Sequence, residues 1–298
     1  MNTVNICLSC DNNYAQFAGV VITSILKNAE GEKIKFFLLD GGIEENNKRK
    51  VLELKNIKDC EINFIIINEK DFDDYKQVKT HSYITLATYY RLKIASILKN
   101  IDRIIYLDCD IVVNSSLYEL FNVELTTECF AGVNDINKNQ IKENPTYING
   151  GVLVMDLKNM REQNLEEKFL LYTKENIDKI TCGDQEIINE VCKGNIKIVD
   201  DKYNVQISDF MNRSCFTKNP VIIHYIAKNK PWKNISLCYY KEYYLKYLQL
   251  TPWKKNKKEV FYYSYVKQIL SIFKFILHRP TFFLQKKFYH AFINTYLR

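Results

Sequence analysis

Glycine and proline are scarce in this 298-residue chain, 9 and 5 residues respectively, which excludes collagen-like and Gly/Pro-rich low-complexity character. No uninterrupted run of about 18 apolar residues occurs, so no membrane-spanning helix is predicted. The longest candidates, residues 17–26 and 269–277, are too short or carry Thr, Ser and Lys. The opening MNTVNICLSC has neither a basic stretch nor a long apolar core, so a cleaved secretion signal is not expected. Two nucleotide motifs are also missing. The first turn, Ser9-Cys10-Asp11-Asn12-Asn13-Tyr14, has no glycine, so there is no GxGxxG dinucleotide site, and no GxxxxGK[ST] phosphate loop exists. A nucleotide bound by this chain would need its phosphates held another way, and a metal ion is the natural substitute.

Nine cysteines are scattered rather than clustered. Cys7 and Cys10 form a CxxC, but no second pair completes a four-thiolate zinc site. The pair reads either as a redox couple or as two buried thiols, and the odd total fits a reducing cytoplasm. Acid is lacking from one region only. Residues 253–298 hold ten Lys or Arg against the single Glu259, a net +9 in a chain whose total is +7, so the first 252 residues carry −2. Basicity this local points to nucleic acid or an anionic membrane as its partner.

What is present is a balance of 47 % hydrophobic and 26 % charged residues, enough to fold around a core. Apolar runs at 4–8, 34–39, 62–67 and 103–107 read as buried strands, and helical spacing falls at 14–27, 44–55 and 86–98. Such alternation predicts an α/β fold with a mostly parallel sheet covered on both faces. Ligands bind such sheets beyond the carboxyl ends of the strands, where Asp11, Asp40 and the pair Asp108 and Asp110 stand. Further on, 147–157 reads as a strand interrupted by Gly150-Gly151, 165–176 and 185–192 as helices, and 221–225 as a last strand.

Asp108-Cys109-Asp110 closes the apolar run Ile104–Leu107, and alternation brings both carboxylates to the same side. Two hard oxygen ligands suit Mn2+ or Mg2+ on a diphosphate; the alternative is a strand-to-loop cap. His224, after Val221-Ile222-Ile223, is either a structural histidine or a third ligand whose imidazole favours Mn2+. Lys230, set before Pro231-Trp232, offers a fixed positive charge to a phosphate or is a surface lysine. Asn149-Gly150-Gly151 suggests either close approach by a ligand or a bulge, and Asp184 after Gly183 either a site residue or an N-cap.

These segments, in this order, resemble family 8 of the retaining glycosyltransferases, which includes bacterial lipopolysaccharide galactosyl- and glucosyltransferases and glycogenin. Ser9–Tyr14 is similar to the family's (A/S)-x-D-x-N-Y, Thr88-Tyr89-Tyr90-Arg91-Leu92 to T-Y-x-R-L, and Tyr106–Asp110 to Y-L-D-x-D. Tyr147–Leu153 resembles Y-F-N-A-G-V-L, Asp184–Asn189 resembles D-Q-D-I-L-N, and His224–Trp232 resembles H-Y-x-G-x-x-K-P-W. The resemblance covers residues 4–232. It implies a GT-A fold, a Rossmann-like sheet flanked by helices, and a UDP-sugar donor. It places Asp108, Asp110 and His224 on Mn2+ and Ser9, Asp11, Asn13 and Tyr14 along the uridine and ribose. Arg91, Asp135, Asn149, Asp184 and Gln185 fall around the donor sugar, with Lys230 and the backbone near Ala227 at the diphosphate. Ala227 departs from the family's glycine. His81 or Tyr83 stands where acceptor contacts are expected.

The function this implies is retaining transfer of galactose or glucose to a hydroxyl of a cell-surface glycan, such as a lipooligosaccharide or lipopolysaccharide core. Asp184, Gln185 and Lys230 are the candidate catalytic residues. Retention by double displacement would require Gln185, a poor nucleophile, so front-face attack by the acceptor stays open. A nucleotidyltransferase and an inactive sugar-nucleotide-binding module are the rival readings. Residues 1–250 form the expected catalytic domain and 251–298 a basic, aromatic, amphipathic helical tail. In the tail, Ser264, Lys267, Gln268, Ser271, Lys274 and His278 make one polar stripe, Pro280 breaks the helix, and 282–298 repeats the pattern. An aromatic apolar face beside lysines suits the headgroup layer better than nucleic acid. The alternative is a helical pair packed on the body. The expected location is the cytoplasm, peripheral on the inner face of the bacterial membrane.

Overall fold

Along β1 (Thr3–Cys10) the side chains of Val4, Ile6, Leu8 and Cys10 enter one buried core while Cys7 enters another. The computed structural model describes residues 3–78, 85–207, 219–226, 230–233 and 239–254. Ala227, His81, Tyr83 and the tail from 255 onward lie outside them. The alternation continues through β2 (Lys33–Asp40), where Ile34, Phe36 and Leu38 face the first core and Phe37 and Leu39 the second. A sheet buried on both faces follows, as the near-continuous apolar strands require. It also answers the CxxC question: Cys7 and Cys10 point to opposite faces, so they cannot form a redox couple.

The remaining strands of this sheet are β3 (Cys60–Ile66), β4 (Arg103–Leu107), β6 (Phe130–Asn134), β7 (Ile148–Asp156) and β8 (Ile196–Ile198). Their order is β3-β2-β1-β4-β7-β6-β8, and only β7 runs against the others. A second sheet joins β5 (Ile111–Val113), β10 (Ile222–His224) and β9 (Val205–Gln206) in the order β5-β10-β9. The expected α/β sheet is therefore present; β5, β8 and β9 are strands that their short lengths concealed, and β6 is a further strand absent from the sequence reading. The long helix expected at 86–98 is broken, with helical turns at Leu86–Tyr89 and Ile94–Ile97 separated by a 3-10 turn at Tyr90–Lys93. At the break, Arg91 Nε donates to the Thr88 carbonyl at 2.9 Å, supplying from a side chain a partner that a regular helix would draw from its backbone.

The body does not stop at residue 250. Thr251 is buried, and Trp253 lies against the helix Ala15–Asn28 at Gly19, where an added Cβ would sit 2.5 Å from the indole ring. Its Nε1 donates to Asn47 Oδ1 at 3.3 Å. Residues 251–253 thus pack against the same body as the helix Ala15–Asn28. No helix among the described residues is long and apolar enough to cross a membrane.

Candidate functional site

Asp108-Cys109-Asp110 connects the two sheets. Asp108 N still donates to the β7 carbonyl of Gly151 at 2.8 Å, while the Asp110 carbonyl accepts from Tyr225 N, just past β10, at 2.9 Å. Both aspartates are thereby fixed by backbone bonds on different sheets, and β10 delivers His224 opposite them. His224 Nε2 lies 3.1 Å from Asp110 Oδ1 and 3.9 Å from Asp108 Oδ2, and the three residues offer ligand atoms within 4.8 Å of one another.

The chemistry of this donor set fits a divalent cation. Asp110 Oδ1 is buried and receives no hydrogen bond, although the imidazole nitrogen is within reach. Two carboxylates and an imidazole suit Mn2+ and accept Mg2+ less readily. On its other oxygen, Oδ2, Asp110 pairs with Lys230, whose ammonium also donates to the Tyr225 carbonyl at 2.6 Å. Burial alone would raise the Asp110 carboxyl, but Lys230 and then His224 outweigh it and hold it well below the usual range. Pro231-Trp232 explains the placement of Lys230: Trp232 stacks on Phe17 with ring centroids 3.9 Å apart and tilts against Tyr244.

Between the two aspartates, Cys109 donates to the Ser9 carbonyl at 3.3 Å. A hydrogen bond with Cys10, and then burial, push its thiol well above the ordinary value, which leaves it no nucleophile.

On the other side of the cleft the sequence Asn149-Gly150-Gly151 runs through β7 without interrupting it. Between paired positions β6 advances from Gly132 to Asn134 while β7 covers Ile148 to Leu153, so the intervening β7 residues lose their β6 partners. Their backbone groups are satisfied from elsewhere, as buried amides require. Gly150 N donates to Gln185 Oε1 at 2.8 Å and Gly151 N to Asn149 Oδ1 at 3.1 Å. The Gly150 carbonyl accepts from Arg91 and the Gly151 carbonyl from Asp108. The glycines have a second cause. A Cβ on Gly151 would lie 2.2 Å from His224 Cε1 and 2.7 Å from Asp108 Oδ2. The close approach foreseen at this motif is therefore made by the protein's own candidate ligands, and the register break accompanies it.

Arg91, only 3 % exposed, ties these parts together. Its Nη2 lies 2.7 Å from Asp108 Oδ1, its Nε 2.9 Å from Asp184 Oδ2, and its plane covers the Tyr106 ring at 4.3 Å. Burial opposes the guanidinium charge, but Asp108 and Asp184 more than offset that and raise it further above its usual value. Asp184 is the first residue of the helix Asp184–Val191 rather than its cap, a position reached through Gly183 at φ +60°. Burial pushes its carboxyl up to about 6, against the pull of Arg91 and with the charge of Asp108 adding to it.

Gln185 follows, with Nε2 donating to Asp135 Oδ2 at 3.1 Å. Asn149 Nδ2 reaches the same oxygen at 3.2 Å. Asn189 pins this helix to β7 by acting as a substitute strand: Ile148 N donates to its Oδ1 at 2.7 Å and its Nδ2 to the Ile148 carbonyl at 2.9 Å.

The cleft encloses about 360 Å3 and is lined by Ser9, Asp11, Tyr14, Arg91, Asp108, Asp110, Asp135, Asn149, Asp184, Gln185, His224 and Lys230 among others. Every candidate site residue that can be described reaches it except Asn13, which is exposed in the turn before the first helix. Ser9 lines it with its hydroxyl already donated to the Ala87 carbonyl at 2.6 Å. Asp40, the remaining strand-end acid, is structural: it accepts from Gly42 N and Ile43 N and pairs with Lys48 at 2.8 Å. Two buried amides escaped the sequence reading. Asn204 contacts His224 and Asn149, and Gln206 donates to the Asn134 carbonyl at 2.8 Å and accepts from Ile136 N at 3.3 Å, bracketing Asp135. Their spacing of two, around Val205 and before Ile207, was the available clue.

Residues 5–236 match the family described as Glycosyl transferase family 8. A Haemophilus influenzae protein to which glycosyltransferase activity is ascribed is 34 % identical over 244 residues, 77 % of this chain and 73 % of its own. An Escherichia coli lipopolysaccharide 1,2-glucosyltransferase is 29 % identical over 273 residues, 85 % of this chain and 80 % of that one. The galactosyltransferase LgtC, solved with donor and acceptor sugar analogues, superposes with a TM-score of 0.75 at 22 % identity, covering 86 % of this chain and 99 % of LgtC. That likeness establishes the fold, and the expected GT-A architecture is the observed one. The chain belongs to glycosyltransferase family 8, which separates it from nucleotidyltransferases that also carry paired strand-end aspartates.

Arg91→Lys tests the bridge directly. An ammonium cannot meet Asp108, Asp184, Gly150 and Thr88 together, so a carboxylate is left buried without its partner. Urea unfolding should show a loss of about 3 kcal/mol. A loss below about 0.5 kcal/mol, the size of an ordinary surface substitution, would contradict it.

Proposed function

We propose that this family 8 chain is a retaining hexosyltransferase that moves galactose or glucose from a UDP-sugar to a glycan hydroxyl, with Mn2+ preferred over Mg2+. The carrying observation is the pairing, across one cleft, of the Asp108, Asp110 and His224 cluster with the polar set Arg91, Asp135, Asn149, Asp184 and Gln185. The first group suits a metal-bound diphosphate and the second a sugar rich in hydroxyls. Relatives named for glucosyl and for galactosyl transfer support a hexose donor of either kind, and the lipopolysaccharide names favour a cell-surface glycan as acceptor.

In this reading Asp108, Asp110 and His224 hold the ion, which when bound supplies Lewis-acid stabilisation to the diphosphate. Lys230 presents a fixed charge at the same end, where negative charge grows on the leaving UDP. Ser9, Asp11 and Tyr14, which line the cleft, flank the uridine and ribose. Arg91 and Asp184 hold the wall under the donor sugar. Gln185 is a weak candidate for nucleophile on two counts. An amide oxygen is poorly nucleophilic, and this one already accepts from Gly150 N at 2.8 Å and Asn149 Nδ2 at 3.3 Å. Front-face attack by the acceptor hydroxyl is therefore the favoured route to retention, with Gln185 orienting the sugar.

A panel of UDP-sugars, assayed with Mn2+ for slow donor hydrolysis in the absence of acceptor, should single out UDP-galactose or UDP-glucose. EDTA should stop the reaction, Mn2+ should restore it, and Asp110→Ala should abolish it without unfolding the protein. Full activity in EDTA would overturn the reading.

The tail is proposed to bind the anionic cytoplasmic face of the membrane. Each basic residue near such a surface contributes about 1 kcal/mol, so part of the +9 segment suffices for reversible binding. Because Trp253 belongs to the body, the clean division falls after Lys254. Full-length protein should sediment with phosphatidylglycerol vesicles at physiological salt. A chain ending at Lys254 should remain in solution, folded and able to hydrolyse donor. Full-length protein that ignores the vesicles would refute the anchor.

A further inference from the structure

The orientation of the His224 ring can be traced from the backbone of β7. Gly151 N is an unambiguous donor, and it donates to Asn149 Oδ1 at 3.1 Å. At the other end of the same amide, Asn149 Nδ2 donates to the Asp135 carboxylate at 3.2 Å. The Asn149 amide is thus fixed with its oxygen inward. Asn204, 2 % exposed, makes its 3.0 Å contact with that oxygen and must meet it with Nδ2. Its own Oδ1 is then turned to His224 Nδ1 at 3.1 Å, and an oxygen there requires a proton on Nδ1. With Nδ1–H held by Asn204, Nε2 is the nitrogen turned to Asp108 and Asp110, and a cation bound among them would take its lone pair.

We propose that Asn204 is a positioning residue for the metal site: its amide, oriented by Asn149 and ultimately by the Gly151 peptide, fixes the Nδ1–H tautomer and ring angle of His224. The same amide joins the ion end of the cleft to the sugar end, since Asn149 also shares Asp135 with Gln185. Position 204 suits the task because Asn204 precedes β9, which pairs in parallel with β10, with Val205 opposite Ile223 and Gln206 opposite His224. This inference rests on the metal-site reading above. Partners of this kind, behind a ligating histidine, typically account for about 10–100-fold in metal affinity.

Three variants of the full chain are compared with wild type: Asn204→Leu, which removes both bonds at similar volume, Asn204→Asp, which keeps the acceptor toward His224 and loses the donor toward Asn149, and Asp110→Asn. Long-range proton–nitrogen correlation of the imidazoles reads the Nδ1 proton in protein saturated with diamagnetic Mg2+, and the paramagnetic resonance of free Mn2+ reads affinity. His224 should show the Nδ1–H pattern in wild type and in Asn204→Asp, and lose it in Asn204→Leu. Mn2+ affinity should fall about 10–100-fold in Asn204→Leu and hold near wild type in Asn204→Asp, a split that a general packing defect would not produce. An Nε2–H tautomer in wild type overturns the proposal. So does unchanged Mn2+ affinity in Asn204→Leu when Asp110→Asn weakens it, with the metal site surviving. If Asp110→Asn binds Mn2+ as well as wild type, the metal site itself is wrong and the role of Asn204 falls with it.

Discussion

The site is organised around a stretch of backbone where no side chain fits. At Gly151 the imidazole of His224 and the carboxylate of Asp108 approach so closely that a methyl group would overlap both. The flanking peptide groups of β7 are each bonded to a different element: Gln185 from a helix, Arg91 from the broken helix, Asn149 from β7 itself and Asp108 from the connection between sheets. This is possible because β7 loses its β6 partners over these residues. One irregular strand thereby supplies a shared reference for Asp108 and His224 on one side of the cleft and for Arg91, Asn149 and Gln185 on the other.

Charge balance depends on the same geometry. The three carboxylates of Asp108, Asp110 and Asp184 face two cations, Arg91 and Lys230, leaving the cluster one negative charge in excess. Arg91 spends its planar fork on two acids and two carbonyls, fixing their positions as a compact ammonium could not. Burial raises both Asp110 and Asp184: at Asp110 Lys230 and His224 outweigh it, whereas at Asp184 the pull of Arg91 does not and the charge of Asp108 adds to the rise.

Much of this was legible in the sequence. Apolar runs closed by acids gave β1, β2 and β4, and the order of six short segments gave the family. What escaped has physical causes. The strands β5, β8 and β9 are two or three residues long, too short for any period to register. Asp40 resembled a ligand-end acid until its bonds to Gly42, Ile43 and Lys48 showed it capping its own turn. Asn204 and Gln206 act through residues distant in sequence, so their spacing of two marks a shared side of the chain but not what they hold. The glycines of β7 suggested either a ligand's close approach or a bulge, whereas the groups that crowd Gly151 are side chains from β10 and the end of β4, which only the folded chain brings together.

One divalent cation is proposed to sit among Asp108, Asp110 and His224. Anomalous diffraction at the manganese edge, from crystals grown with Mn2+ and UDP, tests it most directly. A single strong peak is expected within about 2.0–2.4 Å of a carboxylate oxygen of each aspartate and of His224 Nε2. A peak elsewhere in the cleft, or clear UDP density with no peak at these three residues, would contradict it.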